Sequence, residues 1–143
     1  LQEKPMFRGL VKAKRCIVPA SGFYEWRKLD GRKQPYYLTS DDGELWGLAG
    51  LYDLTHDEEN AAAGSFTIIT TGANPLVAPL HERMPVILRR EDEEEWVSRD
   101  VDDPLQVERL LQPYPADEMR LYPVSTAVNT TRNNGPELIA PDE

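Results

Sequence analysis

Two stretches of the sequence hold residue types that could move protons. In Gly22-Phe23-Tyr24-Glu25-Trp26 a single carboxylate is set among aromatic side chains. If Glu25 turns inward, loss of water raises its pKa toward values useful for proton transfer. Strand alternation equally allows it to face solvent or to pair with an arginine. In His81-Glu82-Arg83-Met84-Pro85 an imidazole and a guanidinium stand two residues apart, on the same side of an extended chain. Such a pair can hold a phosphate and shift a proton beside it, while a loop histidine with a purely structural role fits the same letters. Cys16 lies in the apolar run Cys16-Ile17-Val18 and reads as a small buried hydrophobe rather than a nucleophile. The C-terminal series Pro123-Val124-Ser125, Asn129 and Asn133 to Ile139 reads as strand, turn and edge, with no chemistry of its own. No P-loop, GxGxxG, HExxH or metal-spaced His/Asp cluster occurs, so neither a metal nor a cofactor is expected.

These side chains need elements to hold them. Residues 7–19 open with a short helix and run into a β-rich piece, Arg15 to Val18, stopped by Pro19. Phe23 to Trp26 follows a Ser-Gly turn, Asp30-Gly31 is a hairpin signal, and Gln34 to Thr39 is the returning strand. Asp41-Asp42-Gly43 marks another turn and Leu45 to Tyr52 another apolar strand; residues 53–64, polar with Ala and Gly, read as a loop. Ser65 to Thr71 is β-branched and aromatic, the clearest strand of the chain. Residues 72–81 read as loop or short helix around Pro75 and Pro79, and Pro85 to Leu88 as a short strand. Arg90 to Ser98 is a helix with acids in its first turn, where they suit the macrodipole, and Pro104 to Leu111 a second helix. Leu121 to Val128 is a last strand, before a turn-rich tail from Asn133. Strands outnumber helices and mostly follow one another directly, so the expected class is α+β with a largely antiparallel sheet.

With 143 residues the chain has room for one domain, 1–143, with a real core. Its 40% hydrophobic and 29% charged residues are those of a folded globular chain rather than a disordered one. No run approaches the roughly 20 apolar residues of a membrane span. A single cysteine excludes an internal disulfide framework and favours a reducing, cytoplasmic setting. The net charge of −9 argues against a nucleic-acid partner on its face, but it is unevenly spread. Residues 1–35 carry a net +6 and the remainder −15. Phosphate binding needs only a local positive surface, although the same Lys and Arg could simply decorate solvated strand edges. Residue 1 is Leu, so the sequence is read as a piece of a longer product.

Taken in order, these stretches resemble the SRAP family (SOS response-associated peptidase), whose members recognise abasic sites in single-stranded DNA and cross-link to them. The residues that carry the resemblance are Arg15-Cys16-Ile17-Val18-Pro19-Ala20, Gly22 to Trp26, Gln34-Pro35-Tyr36-Tyr37, Phe66 to Thr71 with Ala73-Asn74, and His81 to Pro85. Pro123-Val124-Ser125, Asn129 and Gly135 to Ile139 complete the series. The resemblance implies a mostly antiparallel, barrel-like fold with a few flanking helices. It implies Glu25 as the catalytic glutamate, His81 as general acid/base beside the sugar, Arg83 as a backbone-phosphate contact, Thr70 as a site residue, and Trp26 packing around the site or the DNA. The implied partner is single-stranded or junction DNA with abasic sites, and the implied location is nucleoid-associated cytoplasm. In the family, a cysteine exposed by removal of the initiator Met, apparently by the protein itself, condenses with the ring-opened sugar to a thiazolidine.

No Met-Cys-Gly-Arg start is present here, and Cys16 is the internal cysteine, with no α-amine beside its thiol. The 143 residues alone are therefore expected not to cross-link. Their uncovered sheet edges are expected to be met by another copy or a rearranged terminus. Two other readings remain: a non-catalytic nucleic-acid-binding module using the basic first 35 residues, and a Cys/His protease built on Cys16 and His81.

Overall fold

The computed structural model describes residues 5–57 and 60–143. In chain order the elements are α1 (Pro5–Ala13), β1 (Arg15–Ala20), β2 (Gly22–Leu29), β3 (Arg32–Ser40), β4 (Trp46–Asp57), β5 (Asn60–Ile68), β6 (Thr70–Gly72), β7 (Arg83–Pro85), β8 (Ile87–Leu88), α2 (Arg90–Val97), α3 (Pro104–Arg109) and β9 (Met119–Pro123). The strand pairings whose register is described are antiparallel, as expected for the α+β class. Among the described residues no sheet closes into a barrel. The chain divides into two compact units: one comprises the segment up to Pro19, Gly47–Thr71 and Pro85–Tyr114, the other Ala20–Trp46, Gly72–Met84 and Pro115–Glu143.

The first unit holds the sheet β1-β4-β5, with β8 also on β4, and the three α-helices. Its core gathers Val11, Ala49, Leu51, Ile69, Val86, Leu88, Trp96, Val107 and Leu110. Trp96 is fully buried, and its indole N–H donates to the Cys16 carbonyl at 2.8 Å. Arg15, counted above among the basic surface, is instead 7% exposed. Its guanidinium donates to the carbonyls of Val11, Lys12, Trp96, Ser98 and Val101, tying the ends of α1 and α2 to β1. At the start of α3, Asp103 accepts the Leu105 N–H at 3.0 Å and Pro104 takes the first turn, where its missing N–H costs nothing.

Several boundaries differ from the sequence expectation. The expected loop at 53–64 is largely the far end of a hairpin: β4 and β5 stay in register from Gly50↔Ile68 to Asp57↔Asn60, shifting near its end. Backbone hydrogen bonds carry such a ribbon without an apolar pattern to betray it. The 65–71 strand breaks at Ile69, whose N–H goes to Ala49 and whose carbonyl receives Val86 N–H. The 85–88 strand breaks at Val86 for the same reason, its carbonyl taking Ala49 N–H. β1 runs through Pro19, tolerable because β1 is an edge strand, where a residue without an N–H need not break the ladder. The last strand ends at Pro123; Ser125 then accepts the Ala127 N–H and caps a 3₁₀ turn, Thr126–Asn129.

The second unit is built on the sheet β2-β3-β9. The expected Asp30-Gly31 turn is present, Gly31 taking φ 74°, the left-handed region glycine enters without a Cβ penalty. Gly22 is glycine for a different reason. It faces Thr39 across the ladder, and a Cβ there would overlap the Leu38 carbonyl and the Tyr37 ring. Tyr37 in turn packs on Tyr24 and Tyr122, with ring centroids 5.3 and 5.8 Å apart, and meets Ser21 Oγ through its hydroxyl at 3.1 Å. This aromatic cluster stiffens the β2 segment that carries Glu25.

Candidate functional site

The second unit contains a cavity of about 990 Å³. β2 contributes Glu25, Trp26 and Lys28, β3 contributes Lys33, the loop before β7 contributes residues 78–82, and the 3₁₀ turn after β9 contributes Val128, Asn129 and, just past it, Thr131. Glu25 and His81, 56 positions apart in sequence, thus line one space.

The loop that brings His81 there is tied down by Asn74, a buried polar residue. Asn74 Oδ1 accepts the N–H groups of Leu76 and Val77 at 3.1 and 3.0 Å, and its amide donates to the Met119 sulfur at 3.2 Å. The Val77 carbonyl then takes the N–H groups of Leu80 and His81, closing the turn. At Glu82 the chain bends, so 81–83 is not extended as the spacing argument assumed. The imidazole folds back on its own backbone instead. Its Nδ1 accepts the Arg83 N–H at 2.9 Å and lies 3.0 Å from the Arg83 carbonyl. The neutral ring therefore has a donor facing Nδ1, leaving the proton on Nε2, and the protonated ring has the carbonyl to donate to. Nδ1 thus keeps a backbone partner whether it accepts or donates.

Glu25 is partly buried beside the aromatic residues of β2. That burial pushes its carboxyl above the usual range, against the pull of His81 and of the Trp26 backbone N–H, both of which favour the anion. Glu25 is half-buried and faces the open cavity, between the inward and solvent-facing alternatives considered from the sequence. A carboxyl with a raised pKa and an imidazole lining one cavity are residue types from which an acid/base pair can be built.

Trp26 lies on the cavity wall, 36% exposed, its indole N–H donating to Asn129 Oδ1 at 2.6 Å. Asn129 is the functional candidate that reasoning from residue types passed over; only its place in the resemblance pointed to it. Arg83 opens β7, exposed, and does not line the cavity. Thr70 opens β6 in the first unit and does not line it either. Cys16 is also in the first unit, among Ile17, Val18, Tyr52 and Phe66, and burial pushes its thiol pKa up. A thiol held protonated, with no histidine among the described residues that line its pocket, is poorly placed to act as a nucleophile. Among the described residues no group of His, Cys, Asp and Glu is arranged to hold a metal.

Comparison with known proteins gives the family. Residues 1–131 match the family model for SOS response associated peptidase (SRAP). The chain is 46% identical over 140 residues to the abasic site processing protein YoqW of Bacillus subtilis, covering 97% of this chain and 62% of YoqW. It is 34% identical over 161 residues to the abasic site processing protein HMCES of Gallus gallus, covering 98% of this chain and 47% of HMCES. A crystal structure of a Bacteroides thetaiotaomicron protein matches with a TM-score of 0.89 at 33% identity, over 99% of this chain and 62% of that one. A Bordetella bronchiseptica protein matches with a TM-score of 0.75 at 30% identity, over 87% of this chain and 61% of that one. The 143 residues thus span about three fifths of the length of YoqW. On the family model and these relatives together, the chain belongs to the SRAP family.

Proposed function

We propose that this chain forms the acid/base part of a protein that processes abasic sites in single-stranded DNA. The observation that carries the reading is the convergence of Glu25 and His81 on one open cavity, with the carboxyl raised by burial. YoqW and HMCES, both abasic site processing proteins, support the substrate class. In the proposed reaction the baseless deoxyribose enters the cavity as its closed hemiacetal. His81 and Glu25 move the proton between the ring oxygen and the C1′ hydroxyl, opening the sugar to its aldehyde. An amino-terminal cysteine, outside the 143 residues, supplies the amine and thiol. The amine adds to the aldehyde and loses water as the imine forms; the thiol then adds to the imine carbon and closes a thiazolidine. An α-amine is appreciably uncharged near neutral pH, which makes the first addition feasible. Removal of an initiator Met to free that amine is assigned to the same Glu25.

The test uses the longer protein carrying this chain, with an oligonucleotide containing one abasic site, and follows adduct formation on denaturing gels. Glu25→Gln and His81→Ala each slow the adduct by roughly 10²-fold or more, the usual worth of a general acid/base, and Cys16→Ala leaves the rate unchanged. Wild-type rates in both Glu25→Gln and His81→Ala overturn the roles. Salt-sensitive binding with no adduct at all points instead to a non-catalytic nucleic-acid-binding module.

A further inference from the structure

We propose that Lys28 and Lys33 form a two-lysine clamp for a phosphodiester beside the sugar held at Glu25 and His81. The inference rests on the abasic-site reading and extends it by giving the cavity a phosphate subsite. Both lysines line the cavity, and they stand directly opposite each other in the β2–β3 register. Directly opposed residues on an antiparallel pair have Cβ atoms about 4.5–5.5 Å apart, and like charges in that relation destabilise the sheet. No ion pair is described for either lysine, and the carboxylates that share the cavity with them are Glu25 and Glu82. Two exposed ammonium groups at that separation can share one phosphodiester anion between them, which turns a repulsive contact into a bridged one.

The neighbouring aromatic fits the same ligand. Trp26 and Lys28 are two residues apart on β2, so they lie on one face about 7 Å apart along the strand. Trp26, pinned by Asn129, offers a flat partner for a base, and base stacking does not depend on sequence. A wall that stacks a base and neutralises the next phosphate holds a single strand by its backbone. The lesion, which has no base to read, is then left to the cavity.

The experiment measures binding of the full chain to a single-stranded oligonucleotide, unmodified or carrying a stable tetrahydrofuran abasic analogue, across a salt series. Each phosphate contact on a single strand contributes about 0.7 to the slope of log K against log salt. Lys28→Gln/Lys33→Gln is expected to flatten the slope by about 0.7–1.4, or roughly 5–25-fold weaker binding at 0.1 M salt. Lys28→Arg/Lys33→Arg restores binding, and Lys12→Gln, one charge removed in the first unit, weakens it by far less than half as much. The thermal midpoint of the double Gln variant equals or exceeds wild type, since it relieves a like-charge contact. Unchanged affinity and slope, or a loss no greater than that of Lys12→Gln, overturns the clamp while leaving the acid/base reading intact. Normal adduct rates in Glu25→Gln and His81→Ala would overturn the reading and leave a flattened salt slope standing.

Discussion

Replacing Arg15 by lysine keeps the charge and most of the length but removes the planar fork, and that difference can be worked through atom by atom. The guanidinium spends its five N–H donors on five carbonyls: Nε on Trp96 at 2.5 Å, one terminal nitrogen on Val11 and Lys12 at 2.5 and 3.1 Å, the other on Ser98 and Val101 at 2.6 Å each. It also stacks over the Trp96 ring, 5.6 Å from its centroid. Lysine has three donors converging on one atom and cannot reach both helix ends at once. At least two carbonyls are then left without a partner, at about 1–3 kcal/mol each, the low half applying where water can enter. Loss of the flat contact on Trp96 adds about 0.5–1 kcal/mol. Arg15→Lys should therefore cost about 3 kcal/mol, and Arg15→Met somewhat more. For a chain of this size that is a fall in thermal midpoint of roughly 6–12 °C. Urea unfolding followed by tryptophan fluorescence reads both the midpoint and the slope. If Arg15 were a phosphate contact, lysine would keep stability and preserve DNA affinity. A loss under about 1 kcal/mol with an unchanged urea slope would refute the scaffold role.

Two further outcomes follow from the second unit. Because burial raises the Glu25 carboxyl, the native state holds its proton at pH values where the unfolded chain, with a carboxyl near 4.3, has released it. Stability therefore falls as pH rises from the unfolded value through the raised native one, and Glu25→Gln removes that part of the fall. Thermal midpoints of the two proteins between pH 4 and 8 should diverge, the variant becoming the more stable as pH rises; parallel curves would remove the desolvated carboxyl. Gly22→Ala must push Tyr37 or the β3 backbone aside and should cost about 1–3 kcal/mol by overpacking, read in urea, with altered near-ultraviolet dichroism from the displaced tyrosines.

What was legible in the sequence is what neighbouring residues decide among themselves. Asp30-Gly31 specifies its turn because only a residue without Cβ enters that backbone region easily, and the acids of α2 mark a helix start whatever surrounds it. What was not legible is which polar side chains turn inward, because the partner that makes burial tolerable is far away in sequence. Arg15 looks like one more surface cation until the carbonyls of Trp96, Ser98 and Val101 are brought to it. The 53–64 ribbon is invisible to hydrophobic patterning because its strands are held by backbone bonds. Asn129 carries no chemistry by type, yet it decides the pose of Trp26 from 103 positions away. The site itself is the same case. Neither Glu25 nor His81 is distinctive alone, and the acid/base role proposed for them depends on their meeting: the imidazole favours the anion that burial opposes. Burial outweighs the imidazole, so the carboxyl stays raised while the two share one cavity. That environment is a property of the cavity that the loop tied down by Asn74 completes, and no single stretch of sequence contains it.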